Sequence, residues 1–302
     1  MKSIFVTGSN GFTGSNLVPF LKQYNFNVTA ADRKLYHQLE FFDEWDSLLN
    51  NVDVVIHLAG RAHVTKAPES EALTSFRTVN VLGTKKLAEA AKKSGVKRFI
   101  YLSSIKVNGK FTLDSPFSPS DTPHPSDPYA ISKYEAEQVL MSLHDPEKFQ
   151  VVIVRPPLIY GPGVKANFLR LVRAIKNKTL LPFGMVQNKR SFISTDNLND
   201  LIRVCIDHPL ASGEIFLASD GEALSVKNLA LKIGVAVGEP ARLFPIPVGL
   251  MKAGFTLIGK KDYSEQLLMN LEVDIKKTMT LLNWKPISTV DESLSRALKN
   301  LN

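Results

Sequence analysis

The chain has one cysteine, two tryptophans and no uninterrupted apolar run of the length that a membrane-spanning helix requires. Cys205 can form no internal disulfide, and its setting in Leu201-Ile202-Arg203-Val204-Cys205-Ile206 gives it the character of a small buried hydrophobe. The greasiest stretch, Pro247 to Gly259, is interrupted by Lys252 and falls short of the roughly 18 to 20 apolar residues that span a bilayer. A transmembrane protein is thereby excluded, while peripheral contact of this stretch with a membrane stays open. The opening Met1-Lys2-Ser3-Ile4-Phe5-Val6-Thr7-Gly8 reads as a strand entering a turn and lacks the apolar core of a signal peptide, so a cytoplasmic location is expected. No internal repeat or low-complexity tract breaks the chain.

What is present is ordinary globular material: 302 residues, 44% hydrophobic and 22% charged, with a formal net charge of +8. The surplus favours an anionic ligand, a nucleic acid or an anionic membrane surface without choosing among them. Pairs such as Lys85-Lys86, Lys92-Lys93 and Lys276-Lys277 are scattered, with no interleaved aromatics and no helix-turn-helix pattern. Solvated helix faces account for them, and nucleic-acid binding is not expected.

Runs rich in Val, Ile and Phe occur at Ser3 to Thr7, Asn27 to Ala31, Val52 to Leu58, Arg98 to Ser103 and Gln150 to Arg155, each of a length suited to a strand buried on both faces. Helix-period segments lie between them, at Gly14 to Tyr24, Ser70 to Ser94 and Pro128 to His144. Strand and helix alternating in this way predict an α/β fold with a doubly wound parallel sheet, Rossmann-like in kind. After Arg155, prolines and glycines cut the chain into shorter pieces, which predicts a smaller C-terminal lobe. The expected division is residues 1–160 and 161–302, with a linker near 156–166 and the chain free to cross between lobes more than once.

The first strand runs directly into Gly8-Ser9-Asn10-Gly11-Phe12-Thr13-Gly14 and then into a helix. Glycines there allow a tight turn and a close backbone approach, so a pyrophosphate can sit on the unsatisfied amides of the helix N-terminus. The spacing is G-x-x-G-x-x-G, with Thr7 before it and Phe12 within it. In this it resembles the extended short-chain dehydrogenase/reductase family, the group that holds nucleotide-sugar epimerases and dehydratases. Asp32, at the end of the second strand, can accept hydrogen bonds from ribose hydroxyls and repel a 2'-phosphate, which favours NAD over NADP. The competing readings are an Arg33 clamp on a 2'-phosphate, or Asp32 as a solvated turn residue.

Tyr129 and Lys133, in Pro128-Tyr129-Ala130-Ile131-Ser132-Lys133, share one helix face. An ammonium nearby favours a tyrosinate, so Lys133 is expected to activate Tyr129. The segment follows a strand ending in Ser103-Ser104, which is the order the resembled family uses. By that resemblance Ser104 stands at the position that holds the substrate oxygen, and Ser104, Tyr129 and Lys133 are the catalytic set. The competing readings are a strand-end turn serine and a core tyrosine beside a surface lysine.

The likeness extends along most of the chain. Asp53 to Gly60 looks like the family's third-strand segment, placing Leu58, Ala59 and Gly60 against the cofactor. Asn80-Val81-Leu82-Gly83-Thr84 looks like its Asn-x-x-Gly-Thr helix, and Tyr160-Gly161-Pro162-Gly163 like the loop after its fifth strand. Arg190-Ser191-Phe192-Ile193 and Asn283-Trp284-Lys285-Pro286 resemble its later motifs. The implied cofactor set is Gly8, Asn10, Gly11, Phe12, Asp32, Arg33, Leu58, Ala59, Gly60, Asn80, Ser103, Tyr129, Lys133 and Pro156. The implied substrate set is Ser104, Lys106, Asn167, Phe183 and Arg190, with Arg190 gripping a diphosphate and Lys165 also on the pocket; the competing readings are a surface salt bridge for Arg190, a helix-start polar residue for Asn167 and a core aromatic for Phe183. His57 and His63 have no acidic or cysteine partner at ligand spacing, so packing beside the cofactor is the expectation and no metal is expected.

Two departures bear on the substrate. Asn108 stands where the family's Ser-Ser-x-x-Val-Tyr-Gly pattern has tyrosine, in a loop expected to pack under the substrate. Arg155-Pro156-Pro157-Leu158 replaces the Arg-Tyr-Phe-Asn of many UDP-hexose epimerases, removing an amide contact. Together they look closer to bacterial surface-polysaccharide enzymes that act on UDP-N-acetylhexosamines or their 6-deoxy-4-keto relatives. The implied activity is C4 epimerisation of a UDP-sugar with NAD, by a homodimer joined through the two long helices. A reductase of a UDP-4-keto-6-deoxy sugar, and a noncatalytic NAD-binding scaffold, are the alternatives. No acidic residue beside Ser104 supports a 4,6-dehydratase.

Overall fold

Strands β1 (Ser3–Thr7), β2 (Asn27–Ala31), β3 (Val54–His57), β4 (Arg98–Leu102) and β5 (Gln150–Arg155) form within the expected apolar runs. The structure is a computed structural model that describes residues 1–36, 38–62 and 68–299. Four short strands follow, β6 (Leu158–Tyr160), β7 (Arg190–Ser194), β8 (Ile215–Leu217) and β9 (Ala223–Leu224). Among the described residues, six strands make a parallel sheet in the order β2-β1-β3-β4-β5-β8. The expected doubly wound sheet is therefore the observed one. Its sixth strand comes from far along the chain, since Ile215 pairs with Ile153.

Alternation along the strands explains both faces. Ile4, Val6, Ile56, Ile100, Val152 and Val154 pack on one side with Leu17, Leu21 and the Thr195–Asp207 helix, which carries the buried Cys205. Phe5, Val55, Phe99, Val151 and Ile153 pack on the other, against Leu87, Ala91, Ala136 and Leu140. Central strands flanked by two helical layers read as continuous hydrophobic runs for this reason. β2 departs from the expected two-sided burial: Asn27, Thr29 and Ala30 are exposed. It is the edge strand, with a partner on one side only.

Register brings Thr7, His57 and Tyr101 abreast at the carboxyl ends of β1, β3 and β4, the rim where doubly wound sheets hold ligands. The helix expected over Ser70 to Ser94 is present but contains a π-helical turn, Arg77–Gly83, between Glu69–Phe76 and Thr84–Lys93. A second, three-stranded sheet, β6-β7-β9, lies beyond β5. It packs with the helices Ala166–Lys176, Val226–Val237 and Val290–Leu298 around Tyr160, Phe168, Phe192, Ile233 and Leu294.

Candidate active site

The first turn shows why glycine is required. Gly8 has φ +68°, and a Cβ there would stand 2.7 Å from the Ala59 amide nitrogen. A Cβ on Gly14 would stand 2.3 Å from the Gly8 carbonyl oxygen. The helix Phe12–Gln23 starts at Gly11, which has no side chain to cap the first turn, and uncapped amides at a helix start attract anions. Gly8, Asn10, Gly11, Asp32, Arg33, Leu58, Ala59 and Gly60 line one cavity of about 660 Å³. The Asp32 carboxylate is oriented at its rim by the Asn10 amide and by the Lys34 N–H, 2.8 Å away. A glycine cradle at a helix start with an acidic group at the second strand fits NAD.

Arg61, Gln38, Glu40 and Val79 also line this cavity, and no motif singled them out. Phe12, Asn80, Ser103, Tyr129, Lys133 and Pro156 are not on its wall. Phe12 packs with the second-lobe cluster. Asn80, in the π-helical turn, accepts from the Arg61 N–H at 2.8 Å and donates to the Arg61 carbonyl at 3.0 Å and to Ser132 Oγ at 3.0 Å. It thus holds the cavity wall to the helix that carries Lys133. Pro156 is buried, and its carbonyl accepts from the Ile105 N–H at 2.9 Å.

That helix, Pro128–Leu143, begins where Asp127 Oδ1 accepts from the Ala130 N–H at 2.8 Å, with proline at the first position. Tyr129, half-buried, is held edge-on by Phe76 with centroids 5.9 Å apart, and Lys106 Nζ lies 5.8 Å above its ring. Burial, then the Asp127 carboxylate, pushes Tyr129 up to about 12, against which a hydrogen bond with the Ser104 hydroxyl pulls it down. Ser104 and Tyr129 are therefore brought together. Ser104 Oγ also accepts from the Lys106 N–H at 3.3 Å, which fixes the loop it starts.

Lys133 is anchored on β4. Its ammonium donates to the Leu102 carbonyl at 2.7 Å and lies 4.1 Å over the Tyr101 ring. Burial brings it down to about 7, offset in part by Glu137. Beneath it His57 Nδ1 pairs with Thr7 Oγ1 at 2.7 Å and Nε2 with Thr84 Oγ1 at 2.9 Å. Both ring nitrogens are engaged by hydroxyls, and burial holds the imidazole down to about 3. His63 lies outside the described residues.

Ser104, Lys106, Tyr129, Asn167, Phe183 and Arg190 line a second, mostly apolar cavity of about 500 Å³, with Leu158 on its wall. Arg190 donates to the Met269 carbonyl at 2.9 Å, and burial lowers it to about 10. Lys165 is exposed and off the wall. Lys110, Arg170 and Tyr263 line the cavity without any sequence signal. Asn108 is not on the wall, against the expectation for its loop. It is buried, and its amide joins Arg155 and the Ser118 carbonyl.

Sequence reasoning missed Glu137, although it lies one helical turn after Lys133. Its carboxylate accepts from Ser103 Oγ and from Arg155, with Nη2 at 2.5 Å. The spacing from Lys133 is the signal that could have found it.

A profile described as the NAD dependent epimerase/dehydratase family matches residues 4–218. The UDP-glucose 4-epimerase of Vibrio cholerae is 42% identical over 308 residues, covering 98% of this chain and 94% of that protein. The N-acetyl-alpha-D-glucosaminyl-diphospho-ditrans,octacis-undecaprenol 4-epimerase of Escherichia coli O157:H7 is 26% identical over 268 residues, with coverage of 82% and 77%. The solved structure of UDP-N-acetylglucosamine 4-epimerase from Bacillus cereus has the same fold, with TM-score 0.78 at 19% identity and coverage of 98% and 97%.

Proposed function

This chain belongs to the NAD-dependent epimerase/dehydratase family, and from that premise we propose that it interconverts the C4 epimers of a UDP-sugar. A UDP-hexose or UDP-N-acetylhexosamine destined for surface polysaccharide is the substrate in this reading. The observation that carries it is that Ser104 and Tyr129 share the wall of a cavity that also holds Arg190. Residues 1–160 then hold NAD and residues 161–302 hold mainly the nucleotide sugar, in a cytoplasmic homodimer.

NAD bound in the glycine-lined cavity supplies a reversible two-electron acceptor for the sugar's C4. Tyr129 Oη takes the proton of the 4-hydroxyl and returns it, while Ser104 Oγ holds the same oxygen. Lys133, one helical turn after Tyr129 and anchored on the Leu102 carbonyl, supplies the cation that favours the tyrosinate in this reading. Arg190 offers a planar charged fork to the diphosphate. Leu158 presents an apolar surface where many UDP-hexose epimerases have an amide.

The test is a sugar-nucleotide chromatogram with UDP-glucose, UDP-galactose and their N-acetylamino counterparts, without added reductant, run beside NADH absorbance. Interconversion of a C4 pair with no net NADH change is the expected result. Stoichiometric NADH or NADPH oxidation by a UDP-4-keto-6-deoxy-N-acetylhexosamine, with no epimer formed, would overturn it in favour of a reductase.

A further inference from the structure

The helix Val248–Leu257 is apolar on both faces. Val248, Met251 and Phe255 turn inward to Val186, Val226 and Leu268. Leu250, Ala253, Gly254 and Leu257, at helical spacing i, i+3, i+4 and i+7, are all exposed on the opposite face. Leu250 is 66% exposed, Leu257 88% and the adjoining Ile258 63%. An amphipathic surface helix presents its polar side to water, and a contiguous exposed apolar face marks a contact surface.

The helix and its exit carry positive charge. From Pro240 through Lys260 the chain carries Arg242, Lys252 and Lys260, all exposed, and no acidic residue. Of the flanking carboxylates, Glu239 pairs with Lys178 at 3.4 Å, while Asp262 and Glu265 share Lys110 at 2.7 Å and 2.6 Å. Cations beside exposed leucines and isoleucine complement an anionic lipid surface, which takes apolar side chains below its headgroups and attracts basic residues to them. The inward side of the same helix touches a residue of the candidate active site. Phe255 packs against Tyr263, centroids 5.6 Å apart, and Tyr263 lines the substrate cavity.

We propose that the Leu250–Leu257–Ile258 face is a peripheral docking surface for an anionic lipid bilayer. The proposal does not depend on which sugar the site takes.

Sedimentation with vesicles tests it, using phosphatidylcholine alone and phosphatidylcholine mixed with phosphatidylglycerol. Wild-type protein should pellet with the anionic vesicles, and high salt or neutral vesicles should weaken binding. The double substitution Leu250→Glu and Leu257→Glu should lower the bound fraction about tenfold or more, because it removes apolar anchoring and adds repulsion. Both side chains face solvent, so thermal melting and turnover of a soluble nucleotide sugar should be unchanged. Wild-type protein that stays in the supernatant with anionic vesicles would overturn the proposal, as would undiminished vesicle binding by the double variant. A dimer that becomes monomeric in the double variant, while vesicle binding persists, would overturn it by assigning the face to a second copy of the chain.

Discussion

Arg155 donates from Nη1 to Asn108 Oδ1 at 2.9 Å, deep beneath the loop that Ser104 begins. The same guanidinium pairs with Glu137, which takes the Ser103 hydroxyl, so strands β4 and β5 and the Pro128–Leu143 helix meet in one buried network. Asn108 also donates to the Ser118 carbonyl at 2.8 Å. The residue that departs from the family pattern therefore completes a buried charge pair and does not touch the substrate cavity. Its amide supplies both a donor and an acceptor, which a tyrosine at the same place could not arrange in the same way.

Asn108→Ala leaves a guanidinium N–H and a carbonyl without their partner. The expected cost is about 1–3 kcal/mol of folding stability, the usual scale for a buried polar group left unsatisfied. Urea unfolding measures it, and the KM for the nucleotide sugar should change little. A normal unfolding midpoint with a strongly raised KM would show that Asn108 acts on the substrate instead.

Tyr129→Phe keeps the ring against Phe76 and removes only the hydroxyl. Cofactor binding should persist, while turnover falls by about a hundredfold or more, the scale of a positioned acid or base. Steady-state kinetics on folded protein decides it. Near-normal turnover would remove Tyr129 from the chemistry.

Asp32→Ala deletes the carboxylate that Asn10 and Lys34 orient at the cofactor cavity. Affinity for NAD should drop and its advantage over NADP should narrow, because a ribose acceptor and a repulsive charge are lost together. Titration of both cofactors is the check. Tighter binding of NADP than NAD by the wild type would make Arg33 the deciding residue.

His57 gives a pH dependence of defined sign. Its folded pKa of about 3 lies below the ordinary 6.5, so below pH 6.5 the unfolded chain binds a proton that the folded chain refuses. Stability is then full above 6.5 and declines as pH falls toward 3. From pH 7 to pH 5 this group alone should remove about 2 kcal/mol. Denaturant midpoints for wild type and His57→Gln at both values measure it, and the variant should show the smaller decline. Equal declines would place the acid sensitivity elsewhere.

The parts of the site legible in the sequence are those whose geometry is local. Gly8 to Gly14 makes its turn from its own backbone, and Pro128 with Asp127 starts the helix that puts Tyr129 and Lys133 on one face. Arg190, Asn167 and Phe183 were traceable through family likeness and do line one cavity. Lys110, Arg170 and Tyr263 join them from separate stretches of chain, with no motif to mark them.

By itself the sequence determined the parallel sheet, the phosphate-binding turn and the Tyr-x-x-x-Lys helix. Periodic burial and turn chemistry act over a few residues and can be read along the chain. Tertiary structure alone decided that Lys133 rests on the Leu102 carbonyl and the Tyr101 ring, that Asn108 serves Arg155, that β2 lies exposed at the edge, and that Ile215–Leu217 returns to complete the sheet. Each depends on which distant polar group or strand edge is within reach once the core closes. A buried donor must take the acceptor that packing brings to it.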